Sequence, residues 1–498
     1  MDLAIALDHN CAIPLHQQLS EELRQAILNG RLLPRQRIPS TRSLSKSLGI
    51  SRTTVTQSYE QLLSEGYLQT IVGSGTFVCA QLPDDLLHPA PIESAQKIAR
   101  PLQLSKYGKV LAETDTSLMV ETNVPISFRY GRPAFEHFPM QIWRKLLSRH
   151  CRNFGWLDYA TDPLGYKPLR EAIARYLSRS RAVQCDCDSI LITNGTQQAL
   201  YLVVRLSIDR GDAIAIEDPG YLSARRIFLS QGAKLLPVSV DESGLVVKQL
   251  ADTSENIKLV YVTPSHQFPT GAILSLSRRL ELLAWAQQAG ALILEDDYDS
   301  EYRYGDRPIP ALQGLDRSES VIYIGTFSKV LFPSLRIGYL VLPRSLVSLL
   351  ARAKWLSDRQ LPLLEQQVLA DFIELGHLES HIRKMRSLYE RRCQVLVQAL
   401  NSDFGTRATI LGEKAGIHLM VRLQTQLTDE EIIQRAAQVG VAMMSAQPHY
   451  LNGDRSGEFI FGYAELTEEQ IQKGIFKLAQ VLSSKSNYYS PQKSFLQR

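Results

Sequence analysis

Five short aliphatic runs alternate with helix-like stretches, and this alternation limits the possible folds more than any other feature of the chain. The runs cover residues 189–193, 213–217, 258–262, 291–295 and 321–325. Apolar runs separated by helices are typical of strands in a mainly parallel sheet that is covered by helices. We therefore predict an α/β domain over residues 126–485, in which ligands bind where the strands end.

Polar residues follow the first two of these strands. Gly195, Thr196 and Gln197 open a helix after the first strand. Backbone N–H groups and a hydroxyl at such a place can bind an anion, although an ordinary helix cap would have the same pattern. Tyr221 follows the second strand, where its ring could stack on a planar ligand or simply pack.

The fourth strand is followed by several acidic residues, within 295–302, and the fifth by a lysine. Acids at a strand end are costly unless a cation lies beside them. No His or Cys stands next to them in the sequence, so magnesium bound by oxygen would be the metal interpretation, and we predict no metal site. Thr326, Ser328 and Lys329 follow the fifth strand, and Arg336 lies seven residues further on.

One ligand accounts for all of these loops, namely pyridoxal 5'-phosphate. It has an aldehyde, a phosphate, a planar ring and a basic pyridine nitrogen. Lys329 fits the lysine that forms a Schiff base, Asp296 the carboxylate that holds the pyridinium N–H, and Tyr298 a donor to the ring oxygen. Tyr221 could stack on the ring. The residues that could hold the phosphate are Gly195, Thr196, Gln197, Thr326, Ser328 and Arg336.

The N-terminal segment, residues 10–80, has a different pattern. Between Arg31 and Arg52 there are six basic residues and no acidic one. A basic surface of that density attracts phosphate, although a lone charge run more often marks a solvated surface. The periodicity of the segment favours the first interpretation.

Apolar residues recur every four positions up to Gly30, which predicts an amphipathic helix with a C-terminal stop. Ser40 caps a second, short helix that stops at Gly49, and Ser51 caps a third. Two β-rich runs around Gly73-Ser74-Gly75 then predict a hairpin. Short helices joined by a glycine turn and followed by this hairpin are typical of a winged helix-turn-helix, an α+β unit.

The third predicted helix is the one expected to contact bases in the major groove. Polar residues at its start would face outward, and they are Ser51, Arg52, Thr53, Thr54 and Gln57. Arginine can bind guanine and glutamine can bind adenine, while Ser and Thr suit phosphate or base. Double-stranded operator DNA is therefore the predicted partner.

GntR-family bacterial regulators carry a winged-helix domain that two stretches of this chain resemble, RIPSTRSLSKSLGISRTTVTQSYEQLLSEGYL and VGSGTFV. The resemblance implies DNA contacts by Arg42, Arg52 and the wing glycines Gly73 and Gly75. Residues 126–485 resemble a fold-type I aminotransferase, with further matches in DPLGYKPLREAIARYL, which contains Tyr166, and in SKVLFPSLRIGYLVLP.

The combination of the two domains is similar to the MocR subfamily of transcriptional regulators. That resemblance implies a multidomain chain in which a winged helix precedes a pyridoxal-phosphate-dependent transferase fold of type I. It also implies a head-to-tail homodimer, binding of pyridoxal phosphate, and control of vitamin B6 or amino-compound metabolism.

Two departures from the aminotransferase pattern bear on function. The enzymes usually carry Asn-Pro-Thr-Gly, and the matching run here is Phe-Pro-Thr-Gly at 268–271. Contact with the ring oxygen would then come from Tyr298, His266 or Gln267. The enzymes also use a C-terminal arginine for the substrate carboxylate, and neither Arg422 nor Arg455 stands in a motif that assigns it this role.

Two hypotheses follow from the sequence. The first is a transcriptional regulator that responds to pyridoxal phosphate, or to an amine that reacts with it at Lys329. The second is a working aminotransferase in which Lys329 is the general base and the N-terminal domain is an accessory.

The remaining segments are expected to be peripheral. Residues 81–125 are rich in proline and predict a linker, and residues 486–498 predict a tail. The six cysteines show neither a disulfide framework nor a CxxC zinc motif. No basic segment marks a signal peptide near the first residue, and no apolar run is long enough to span a membrane. We expect a cytoplasmic protein without membrane contacts.

Overall fold

The computed structural model describes residues 5–8, 11–83, 103–114, 124–152, 154–159, 162–305, 309–453 and 455–483. Its internal contacts divide the chain into two units, Met1–Gln103 and Leu104–Arg498. The predicted tail at 486–498 and much of the predicted linker lie outside the described residues. The predicted boundaries at residues 80 and 126 stay predictions.

The N-terminal unit contains the three helices and the hairpin that the sequence predicts. They are α1 (Leu15–Leu28), α2 (Thr41–Leu48), α3 (Arg52–Ser64), β1 (Leu68–Ile71) and β2 (Gly75–Val78). The side chain of Ser40 accepts a hydrogen bond from the Ser43 N–H at the start of α2, and Gly49 ends that helix at φ 67°. Ser51 caps α3 in the same way by accepting from the Thr54 N–H.

A small apolar core holds this unit together. It includes Leu19 and Leu23 of α1, Leu44 of α2, and Val55 and Leu62 of α3, all nearly inaccessible to solvent. Burying each side chain of this kind contributes about 1.5–3 kcal/mol. The helices therefore pack with their apolar faces, which the four-residue spacing creates, toward one another.

Polar contacts fix the same packing. The Ser58 hydroxyl of α3 donates to the His16 carbonyl of α1 at 2.8 Å. At the far end of the two helices, Arg24 forms an ion pair with Glu65 at 2.6 Å.

The second unit is built on an eight-stranded sheet. In spatial order the strands are β4 (Ile190–Thr193), β11 (Gly338–Val341), β10 (Val321–Thr326), β9 (Leu292–Asp297), β8 (Ile257–Val262), β5 (Ala213–Asp218), β6 (Lys234–Asp241) and β7 (Gly244–Leu245). Neighbours from β10 to β6 run parallel, whereas β11 is antiparallel to both β10 and β4. The prediction of a mainly parallel sheet is confirmed.

Helices cover both faces of this sheet and continue into a smaller lobe. They are α4 (Lys106–Glu113), α5 (Met140–His150), α6 (Lys167–Arg181), α7 (Gly195–Ser207), α8 (Leu222–Ser230), α9 (Lys248–Ala251), α10 (Leu276–Ala289), α11 (Leu312–Leu315), α12 (Arg344–Asp358), α13 (Leu363–Glu374), α14 (His377–Phe404), α15 (Asp429–Gln438) and α16 (Glu468–Ser483). The helix α4 lies in the segment that the sequence assigns to a linker.

The smaller lobe has a separate sheet and a separate core. Its strands pair in the order β12 (Ala408–Leu411), β13 (His418–Leu423), β16 (Glu458–Gly462) and β15 (Met444–Ser445), and β3 (Ile126–Ser127) pairs with β14 (Val441–Ala442). The long helix α14 and the helix α16 pack over this sheet. Residues from both ends of the second unit therefore share one core.

None of the helices in the described ranges combines the length and the apolar character that a membrane span requires.

A buried histidine in the second unit predicts a loss of stability in mild acid. His381 of α14 donates from Nε2 to the Val330 carbonyl at 3.1 Å, and burial lowers its pKa from 6.5 to about 4. Between these two values the unfolded chain binds more protons, so the free energy of unfolding falls as the pH falls.

We expect His381→Gln, whose amide can donate to the same carbonyl, to remove about 2 kcal/mol of the stability lost between pH 7.5 and pH 5. Urea unfolding of both proteins at the two pH values measures this difference. An unchanged pH dependence in the variant would contradict it.

Candidate functional site

A cavity of about 370 Å³ lies at the ends of the parallel strands in the second unit. The residues around it come from the loops after β5, β8, β9 and β10, from the start of α7, and from the smaller lobe. They are Tyr130, Gly131, Thr196, Gln197, Tyr221, Ser223, Tyr261, Thr263, Phe268, Asp296, Tyr298, Thr326, Ser328, Lys329, Arg336, Ile417 and His418. The cavity thus includes the predicted cofactor residues except Gly195, and of the three candidates for the ring-oxygen contact it includes Tyr298 but not His266 or Gln267.

Lys329 lies just beyond the end of β10. Its Nζ donates to the Gly131 carbonyl at 2.9 Å. Burial lowers the pKa of Lys329, and the nearby carboxylates of Asp299 and Asp296 oppose that shift. A lower pKa favours the neutral amine, which is the form that attacks an aldehyde.

Asp296, near the end of β9, is buried. Its Oδ2 accepts from the Tyr261 hydroxyl at 2.8 Å, whereas its Oδ1 has no partner among the described protein atoms. Burial raises the pKa of Asp296 to about 7, although the bond from Tyr261 opposes the rise. A buried acceptor without a partner costs free energy, so this oxygen suits a ligand with an N–H donor, such as a pyridinium.

The anion-binding end of the cavity is formed at the start of α7. Gly195 has φ 69°, and a Cβ on it would lie 2.9 Å from the Arg336 guanidinium. Arg336 donates to the Asn194 carbonyl at 3.0 Å, next to the first turn of α7. Gly195 therefore does not line the cavity but allows Arg336 to approach the helix start, where Thr196 contributes a hydroxyl.

Aromatic side chains form the walls of the cavity. The ring centroids of Tyr221 and Phe268 are 5.8 Å apart, edge to face. Phe268 stands where the aminotransferase pattern has asparagine, and it contributes a ring in place of a polar amide. The Tyr298 hydroxyl lies 3.1 Å from His266 Nδ1, so these two predicted contacts of the ring oxygen are bonded to one another.

Several lining residues were not predicted from the sequence. They are Tyr130, Gly131, Ser223, Tyr261, Thr263, Phe268, Ile417 and His418. Tyr261 lies near the end of the strand β8 and Thr263 follows it, so the rule that ligands bind at strand ends could have found both. Tyr130 and His418 enter the cavity from the smaller lobe. Their position depends on contacts between distant segments, so no local sequence pattern marks them. Burial lowers the pKa of His418 well below its usual value.

Neither candidate for a carboxylate-binding arginine lines the cavity. Arg422 forms an ion pair with Glu458, its neighbour across β13 and β16, at 2.7 Å. Arg455 is exposed. Among the described residues that line the cavity, the cationic side chains are Lys329 and Arg336, and the second of these lies at the anion-binding end.

The backbone of Gly131 lies close to the Lys329 amine because glycine has no side chain. It has φ 84°, and a Cβ on it would lie 2.7 Å from Lys329 Nζ. We expect Gly131→Ala to displace the amine and to weaken pyridoxal phosphate binding at least tenfold, or about 1.4 kcal/mol, in a fluorescence titration.

Gly376→Ala is the matched control for this change. Gly376 has φ 74°, with no atom within 4 Å of its Cβ position, so it incurs the same backbone strain away from the cavity. Equal effects of the two substitutions would show that strain alone is responsible.

Four of the predicted DNA-binding side chains are exposed in the N-terminal unit. Arg42, Arg52, Thr53 and Gln57 are exposed, and they lie at the start of α2 and along the first turns of α3. Arg52 makes one long contact, at 3.4 Å, with the Thr41 hydroxyl. Such long, exposed side chains can reach a DNA groove without rearrangement of the core.

Three of the predicted contact residues also have structural roles. The hydroxyls of Ser51 and Thr54 are 2.8 Å apart and cap α3 together. In the wing, Gly75 has φ 117°, and a Cβ on it would lie 2.9 Å from Arg37 Nε. Gly73, at the tip of the wing, is exposed. Contacts of any of these residues with DNA stay predictions.

Comparison with known families finds one family for each of the two units. Residues 15–78 match the family of bacterial regulatory proteins, gntR family, and residues 126–478 match aminotransferase class I and II. The probable rhizopine catabolism regulatory protein MocR of Rhizobium meliloti is 38% identical over 95% of both chains. The chain belongs to the MocR subfamily of GntR-family regulators.

Two further proteins show the similarity to regulators and the similarity to aminotransferases. The pyridoxine biosynthesis transcriptional regulator PdxR of Corynebacterium glutamicum is 30% identical over 97% of this MocR-subfamily chain and 99% of its own. The solved structure of LysN, an α-aminoadipate aminotransferase from Thermus thermophilus, is 30% identical with a TM-score of 0.70. The match covers 75% of this chain and 96% of the LysN chain, which was solved with N-(5'-phosphopyridoxyl)-L-leucine.

The cofactor of the aminotransferase family is pyridoxal 5'-phosphate, and the cavity fits it. The unpartnered Oδ1 of Asp296 suits the pyridinium N–H, and Arg336 with the start of α7 suits the phosphate. When bound, this cofactor supplies an aldehyde that reacts reversibly with amines. Lys329 would supply the reacting amine, and the aromatic walls of the cavity would orient the ring.

Proposed function

We propose that the protein is a transcriptional regulator that binds operator DNA and responds to pyridoxal phosphate, or to an amine that reacts with it at Lys329. The observation that supports this proposal is that one chain contains both the helix α3, which begins with exposed polar residues, and a cavity lined by Lys329. The named regulators among its relatives span almost the full length of the chain, which supports the same conclusion.

The residues of the cavity also favour a regulator that binds an amine over an enzyme that converts it. An aminotransferase must hold the carboxylate of its substrate, and in this chain Arg422 is held by Glu458 while Arg455 is exposed. An amine that enters could still react with the cofactor's aldehyde carbon and would release Lys329 from it as the free amine. We propose that such an amine binds the cavity without being converted.

Control of DNA binding requires that the ligand prefer one conformation of the protein over another. Coupling between two sites is typically about 1–3 kcal/mol, or roughly 5- to 150-fold in affinity. By the resemblance to the MocR subfamily, the acting form is a head-to-tail homodimer in the cytoplasm. Sedimentation equilibrium tests the dimer directly.

The central experiment measures binding of the full-length protein to DNA from upstream of its own gene. Fluorescence anisotropy would be recorded without ligand, with pyridoxal phosphate, and with the cofactor plus each of a panel of amines. We expect specific binding whose affinity changes at least fivefold with one of these additions. Equal, sequence-independent binding under all conditions would overturn the proposal.

The competing hypothesis of an active aminotransferase has a separate readout. The protein loaded with cofactor would be mixed with each amino acid, and pyridoxamine phosphate would be measured by chromatography. We expect none. Stoichiometric formation of it with a common amino acid would favour the enzyme.

A further inference from the structure

Three buried side chains that are far apart in the sequence lie close together beside the cofactor cavity. His266 follows β8, Asp299 follows β9, and His418 begins β13 in the smaller lobe. One ligand atom from each residue lies within 4.8 Å of the others. All three are at most 2% exposed. No histidine stands next to the acids of 295–302 in the sequence, but the fold brings His266 and His418 close to Asp299.

The orientation of His266 is set by its neighbours. Its Nδ1 lies 3.1 Å from both carboxylate oxygens of Asp299. A carboxylate only accepts hydrogen bonds, so Nδ1 carries the proton and Nε2 presents a lone pair. That Nε2 is buried and has no partner among the described protein atoms. A carboxylate behind a histidine is the usual arrangement for a metal-binding imidazole.

His418 presents a second nitrogen of the same kind. The His418 ring donates a hydrogen bond to the Pro269 carbonyl. Its Nε2 is buried and has no partner in the described part of the chain. The ring centroids of His418 and His266 are 5.0 Å apart. His418 also lines the cofactor cavity, so the cluster borders that cavity.

We propose that His266 and His418, with Asp299 behind His266, bind a divalent transition metal such as Zn²⁺ through their Nε2 atoms. Imidazole nitrogen favours zinc, cobalt or nickel over magnesium and calcium, which prefer oxygen. Zinc–nitrogen bonds are about 2.0–2.1 Å long. Because His418 lines the cavity, we expect water or a group of the cavity's occupant to complete the coordination.

The first test is a titration of the full-length, cofactor-loaded protein with CoCl₂, followed by calorimetry and by the ligand-field absorbance of Co²⁺. We expect saturation at one ion per chain. His266→Gln and His418→Gln should each weaken binding at least tenfold, and Asp299→Asn should weaken it roughly 10- to 100-fold.

His150→Gln is the matched control. His150 forms a similar pair with Asp371, at 3.0 Å, but it lies outside the cluster. It should leave the titration unchanged. Binding that survives both histidine substitutions in the cluster, or no saturable binding by the wild type, would overturn the proposal.

A second measurement does not depend on whether the variants fold. Crystals of the wild-type protein grown with ZnCl₂ should give an anomalous difference peak at the zinc edge, within bonding distance of both Nε2 atoms. A water or no peak at that place would reject the site. Both measurements report metal binding itself, so their failure would leave the proposal of a regulator intact.

Discussion

Replacing Lys329 with alanine is expected to abolish the visible Schiff-base absorbance that pyridoxal phosphate gives with the wild-type protein. Lys329 is the lysine that lines the cavity, and its lowered pKa favours the reactive amine. Arg336 and Asp296 remain in the variant, so the cofactor should still bind without a covalent bond. We expect its Kd to rise on the order of 100-fold, which corresponds to about 2.8 kcal/mol.

An absorbance titration of both proteins measures this effect, and Lys234→Ala is the control. Lys234 is an exposed lysine of the same sheet, paired with Glu255. Retention of the band in Lys329→Ala would show that another amine reacts with the cofactor. Absence of the band in the wild type would mean that the second unit does not hold this cofactor, and the regulator would need another ligand.

Replacing Arg52 with alanine is expected to weaken binding to operator DNA by about 1–3 kcal/mol, or roughly 5- to 150-fold. Arg52 is exposed at the first residue of α3, the position from which a recognition helix contacts bases or phosphates. The core of the unit does not include it, so the fold should be unchanged.

Salt dependence distinguishes the two kinds of contact in the same anisotropy assay. If Arg52 binds a base, the variant loses preference for the operator over random DNA. If it binds a phosphate, affinity for both falls together, and the slope of log affinity against log salt concentration becomes smaller by about one. Arg175→Ala removes an equal charge from the second unit as a control. Unchanged affinity in Arg52→Ala would place the recognition surface elsewhere.

Most of the secondary structure could be predicted because its causes are local. The spacing of leucines and the caps at Ser40 and Ser51 specify the helices of the N-terminal unit within a few residues of each position. The same holds for the strands and for Thr326, Ser328 and Lys329, which lie at the end of the strand β10 or directly after it. Parallel strands end at one edge, so residues distant in the sequence could be assigned to one cavity.

The parts that could not be predicted depend on contacts between distant segments. The pairing of Arg422 with Glu458 follows from the register of β13 and β16, which no local pattern specifies. Gly131 reaches Lys329, and Tyr261 reaches Asp296, only because the layers of the fold bring them together.

The sequence by itself determined the two domain types, their order and the cofactor, and it predicted Lys329 as the reacting lysine. Each of these depends on short-range periodicity or on the residues that follow one strand. The tertiary structure alone decided which partner each side chain has. It left Asp296 Oδ1 and the Nε2 atoms of His266 and His418 buried without partners among the described atoms. Packing of the smaller lobe against the strand ends places these atoms, and burial makes an unpaired polar atom costly, which is why they point to ligands.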